Sequence, residues 1–159
     1  MSQNIRRLLE IASDLASQDE FNEALHIYNK ILKDNPKNVS ALIDKAVTLQ
    51  RIGKNPQAIK LFLNVLKIEP KNLDGLIGMG SILHGQGKFF DAISLYDRAL
   101  KINPKYPVAL AYKGLSLGEQ GKIKDALNHF KMALAIDKDY DLAQISKKKA
   151  LKLLKSKKY

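Results

Sequence analysis

The residues in this sequence best able to do chemistry are a glycine run, three histidines and one asparagine in a glycosylation pattern. Gly75, Gly78 and Gly80 stand close together, with Gly85 and Gly87 just beyond. A phosphate cradle needs glycines in a G-x-G-x-x-G order on a strand-to-helix turn, so that backbone N–H groups converge on the anion. Here the order is Gly75-Leu-Ile-Gly78-Met-Gly80 with no strand pattern before it, so a nucleotide loop is not read and no cofactor is expected. His26, His84 and His129 fall in neither an H-x-x-x-H nor an H-E-x-x-H arrangement, and cysteine is absent, so no metal ligand set stands at workable spacing. Ser, Asp and Glu are plentiful, yet no triad or carboxylate pair is pinned to a cleft. Asn38-Val39-Ser40 spells a glycosylation sequon within a turn between helical stretches, in a chain without an export signal, and is read as coincidence. No catalytic or metal-binding residue is therefore expected, and the sequence predicts no enzyme.

Composition narrows the class further. The chain has 159 residues, 45% of them hydrophobic and 27% charged, which suits one globular domain spanning 1–159. Asp14, Asp19 and Glu20 interrupt the region where a signal peptide needs continuous apolar sequence, and no apolar run approaches a bilayer span. A cytoplasmic protein without membrane attachment is expected. The net charge of +11 suggests a polyanion at first. It is unevenly placed: Lys147, Lys148, Lys149, Lys152, Lys155, Lys157 and Lys158 crowd the last 19 residues against a single acid, Asp141.

Self-similarity then organises everything between. Pro36, Pro70 and Pro104 are 34 residues apart, as are Ala24, Ala58, Ala92 and Ala126. The aromatics Tyr28, Phe62, Tyr96 and Phe130 keep the same period, and so do the small residues Ala12, Ala46, Gly80 and Gly114. Gly53, Gly87 and Gly121 repeat it again, each before a lysine, with Asp19 in the first unit's place. The turn glycines can take the positive φ that ends a helix, and the prolines mark connections that a helix cannot continue through. Small residues let the first helix of each unit approach the second, whose aromatics supply the bulk. Four helix–turn–helix units follow, at about 5–38, 39–72, 73–106 and 107–140. A ninth helix, about 141–158, is predicted to cap the last apolar face through Ala143, Ala150, Leu151 and Leu154, with most lysines outward.

The period and the order small–Leu–Gly–Ala–aromatic–Pro resemble the tetratricopeptide repeat family over residues 5–140. Leu8, Leu42, Leu76 and Leu110 stand where a tryptophan is common, Lys45 and Lys113 hold a usually apolar place, and Lys138 stands where proline belongs. The resemblance implies an all-α, right-handed superhelical solenoid whose first helices line a concave groove. Carried over by repeat position, the groove residues are Leu9 in the first unit and Ile43, Asp44 and Val47 in the second. The third unit gives Asp74, Ile77, Gly78 and Ser81, and the fourth gives Tyr112, Leu115 and Glu119. Arg6 and Arg51 are placed there also. The places of the chaperone-tail clamp hold Leu9, Ser13, Asp44, Asp74 and Gly78, so carboxylate-clamp chaperone tails are not expected as ligands.

Two functions from different classes remain open. The first is a scaffold or adaptor that docks a protein, peptide or helix in the groove. Gly78 and Ser81, small among Ile77, Tyr112 and Leu115, predict a hollow for one apolar anchor, with Asp44, Asp74 and Glu119 facing basic flanks. The same aliphatics would also serve to pack neighbouring first helices. The second is a nucleic-acid- or ribosome-associated protein using the basic ninth helix; the groove itself has the wrong sign for phosphate and no aromatic ladder.

Overall fold

The computed structural model describes residues 3–156, and within them the periodic pattern resolves into helices without strands. In chain order these are α1 (Gln3–Ser17), α2 (Phe21–Asp34), α3 (Val39–Arg51), α4 (Asn55–Ile68) and α5 (Leu73–Gly85), then α6 (Phe89–Ile102), α7 (Pro107–Glu119), α8 (Ile123–Ile136) and α9 (Asp141–Ser156). Lys157 and Lys158, counted with the basic tail, and the last two positions of the predicted capping helix lie outside the described residues.

Local chemistry sets the ends. Gly53, Gly87 and Gly121 close their first helices at φ of 77°, 75° and 77°, a conformation that costs glycine nothing. Asp19 takes the same role at φ 65° without that freedom. Its compensation is Arg51, whose guanidinium bonds the Asp19 carboxylate at 2.8 Å and the terminal Ala16 carbonyl of α1, and stacks over Phe21. At the starts, the Asn38 Oδ1 accepts the Ala41 N–H at 2.9 Å and Asn72 Oδ1 accepts the Gly75 N–H at 2.8 Å. The sequon asparagine is thus a helix cap.

The chain divides into two compact units, residues 1–78 and 79–159, the division falling inside α5. In the first, Leu9, Ala12 and Ala16 of α1 meet Ala24, Tyr28 and Ile31 of α2, with Ala41 of α3 joining the cluster. In the second, Leu117 packs with Ala126, Leu127 and Phe130 of α8 and Ala150 of α9, while Leu110 and Ala111 pack with Ala133 and Ala143. The small-residue positions work as anticipated: a Cβ on Gly80 would stand 2.5 Å from the Tyr96 ring, and one on Gly114 2.6 Å from Phe130. Lys113, a charge among apolar positions, reaches Asp97 at 2.7 Å.

The packing face expected of the ninth helix needs one correction. Its buried line is Ala143, Ser146 and Ala150, with Leu154 half-buried, whereas Leu151 is 39% exposed. Helical spacing puts Leu151 about 100° round from Ala150, past the edge of the seam α8 and α7 offer.

Candidate functional site

The residues expected to line a groove divide between the two units, and the structure treats them differently. In the first unit, Leu9 and Ile77 are only 9% and 8% exposed and spend their side chains in packing. Ile43 is half-buried, Val47 and Asp74 are exposed, and Arg51 is held at the α1–α2 turn rather than offered to a ligand. Asp44 is half-buried, and its carboxyl is pushed above the usual carboxylate range, first by burial and then by Asp74. The same carboxylate, after burial itself, helps push the Tyr28 phenol up to about 12. Tyr28 shares a hydrogen bond with Thr48, whose hydroxyl donates to the Asp44 carbonyl at 2.8 Å. The surface this unit presents is therefore an acidic pair, Asp44 and Asp74.

Gly78 overturns an expectation. A Cβ there would run into the Phe62 ring of α4, so the space the missing side chain leaves is already filled. The position faces the aromatic of the preceding second helix rather than an open hollow. Its counterpart one period later behaves alike: Tyr112 lies against Tyr96, with centroids 5.9 Å apart. Seen from sequence, both looked like groove positions. The aromatic row of the second helices, read only as intra-unit bulk, is what reaches them.

A hollow does exist, one unit later. In the second unit Leu115 and Glu119 of α7 line a cleft of about 250 Å³ with Gly114, Gly118, Ile123 and Phe130, and with Ser146, Lys149, Ala150 and Leu153 of α9. Gly118 makes the room: an added Cβ would find only the Ala126 methyl, at 3.8 Å. The rim carries one charge of each sign, Glu119 and Lys149, both exposed. Sequence reasoning missed Gly118, although a signal was present: its counterparts are Gln50 and His84, long side chains two periods and one period earlier. Ser81, half-buried on α5, does not line this cleft.

The remaining chemistry-bearing groups are engaged locally. The His84 Nδ1 lies 2.9 Å from the buried Ser116 hydroxyl, its ring edge-on to Phe89, and the His129 Nδ1 lies 2.8 Å from the Asp125 carbonyl. Among the described residues no three His, Asp or Glu side chains converge as a metal set, and no helix is long and apolar enough to cross a membrane.

The family model of the Psidin N-terminal TPR repeats region matches residues 6–113. No relative among curated protein sequences matches the chain. Among solved structures, TTC0263, a thermophilic TPR protein of Thermus thermophilus, superposes with a TM-score of 0.84 at 20% identity, over 94% of this chain and 82% of that one. PilW, described as a widely conserved type IV pilus biogenesis factor, gives 0.81 at 24%, over 90% and 66% of the two chains. MamA of Desulfovibrio magneticus RS-1 gives 0.72 at 16%, over 98% of each. At these identities the likeness is one of fold.

Proposed function

Since the chain belongs to the tetratricopeptide-repeat family, we propose that it is a non-catalytic protein-binding scaffold that holds a peptide or helix by an apolar anchor in the α7–α9 cleft. The observation that carries this reading is the cleft itself: about 250 Å³, floored by Gly114, Gly118 and Ala126 and walled by Leu115, Ile123 and Leu153. That volume suits one aliphatic or small aromatic side chain, and a buried anchor of this kind supplies most of the affinity in peptide recognition. Glu119 and Lys149 on opposite rims would select charges flanking the anchor. In the first unit, the Asp44–Asp74 pair favours a basic residue, because a cation there would offset both the burial and, after it, the Asp74 repulsion that raise the Asp44 carboxyl.

The test is panning of a random-peptide display library on the immobilised full chain. Enrichment of sequences with a hydrophobic anchor is expected, and both Leu115→Glu and the cleft-filling Gly118→Leu should weaken the selected peptides by about tenfold or more. Selected peptides that bind both variants as tightly as the parent chain would refute the cleft as the site.

A further inference from the structure

The last helix keeps the phase of the repeat while changing its chemistry. In α7 the stripe Leu110, Gly114 and Leu117 receives the second helix of its hairpin, α8; Leu110 and Leu117 are 2% and 8% exposed, and Gly114 lies beneath the Phe130 ring. One period later the same stripe of α9 reads Gln144, Lys148 and Leu151, followed by Lys155. No further helix covers it among the described residues, and Leu151 is 39% exposed where Leu117 is buried. Leu151 and Leu134 of α8 floor an open depression of about 480 Å³ bounded by Lys138, Gln144, Lys147 and Lys148. The ion pairs of the described residues, Arg6–Glu10, Arg51–Asp19 and Lys113–Asp97, use none of these lysines.

We propose that this depression is a docking seat for an acidic amphipathic helix of a partner protein, laid along α9 as the second helix of a hairpin is laid along its first. The charge and the register together define the occupant. In α7 a glycine admits an aromatic ring; Lys148 in the same place refuses one and presents an ammonium outside those ion pairs. The partner helix therefore carries a carboxylate where α8 carries Phe130, with aliphatic side chains set against Leu151 and Leu134. Such a helix gains both apolar burial and charge pairing on one face. A second copy of this chain offering its own α9 would bring lysines to lysines. A nucleic acid would be drawn to the ammonium groups but gains nothing from a leucine floor, and no aromatic lines the depression for a base to stack on. The seat lies on a different side of α9 from the cleft, which uses Ser146, Lys149, Ala150 and Leu153.

The experiment uses the full chain and a fluorescein-labelled synthetic peptide designed as a helix with glutamates and leucines along one face. Its controls are a scrambled peptide of identical composition and an oligouridylate. Anisotropy titrations should show saturable binding of the amphipathic peptide and at least about tenfold weaker binding of the scrambled one. Lys148→Glu and Leu151→Asp, both at exposed positions and checked for unchanged helicity, should each weaken the amphipathic peptide by a similar factor. Absence of saturable binding overturns the proposal. So does equal binding of the scrambled peptide, or indifference to Leu151→Asp, since either means that bare charge is all the surface offers. Displacement of the peptide by oligouridylate at lower concentrations, with a steep loss on adding salt, would assign the lysines to nucleic acid and sink the helix seat.

Discussion

Tyr28 and Tyr96 hold the same repeat position and meet different surroundings. Tyr28 has Thr48 as a hydrogen-bond partner. Ser116 holds Thr48's place in the second unit, but its hydroxyl is taken by His84, and the buried Tyr96 hydroxyl is left without a partner among the described residues. An unmet buried hydroxyl costs stability, whereas a paired one contributes about 1 kcal/mol. Tyr96→Phe is therefore expected to leave the melting temperature unchanged or raise it, and Tyr28→Phe to lower stability by about 1 kcal/mol. Thermal melts followed by circular dichroism decide this; the reverse order would contradict the assignment of partners. Asp44 makes the second prediction at this scale. Its folded-state carboxyl is raised, so the fold prefers it protonated: the stability it contributes is present in acid and lost as pH rises through the folded value. Toward neutral pH, burial and then the neighbouring Asp74 disfavour the charged form of the Asp44 carboxyl. Asp44→Asn should raise the melting temperature at pH 7, with the gain vanishing near about pH 3, where carboxylates are protonated in either state. An equal gain at both pH values would assign the effect to packing.

Helices α7 and α9 show how one register serves two ends. Both turn a line of small side chains to the preceding second helix: Ala109 and Ala143 are fully buried. Their other stripes diverge, apolar in α7 and lysine-bearing in α9. Ala143 and Ala150 cover Leu110, Ala133, Leu117 and Phe130. Deleting residues 141–159 would bare that surface and should lower the melting temperature and produce self-association, measured by calorimetry and light scattering. A truncated chain that melts where the parent does and stays monodisperse would remove the capping role. The phase of α9 was legible in its sequence through Ala143 and Ala150. The exposure of Leu151 was not, because alanine and serine fill the narrow seam on α8 and α7, and only that seam decides which flank of the helix is covered.

For the whole molecule, the 34-residue period prescribed an all-helical chain of hairpins, the positions of their turns and the rows that interlock, as the helix bounds and the Gly80–Tyr96 and Gly114–Phe130 contacts bear out. Such features are local or repeat with a fixed offset, so spacing alone encodes them. Which rows face open space is a different kind of information. Gly78 read as a gap and is filled by Phe62, while Gly118 read as unremarkable and opens the cleft. Arg51 read as a groove charge and instead supports the strained turn at Asp19. Each outcome depends on a side chain arriving from an element a full helix or more away, at an angle the period does not specify. The repeat and its interior were written in residue spacing; where that interior stops and a ligand can begin was set by helices meeting in three dimensions.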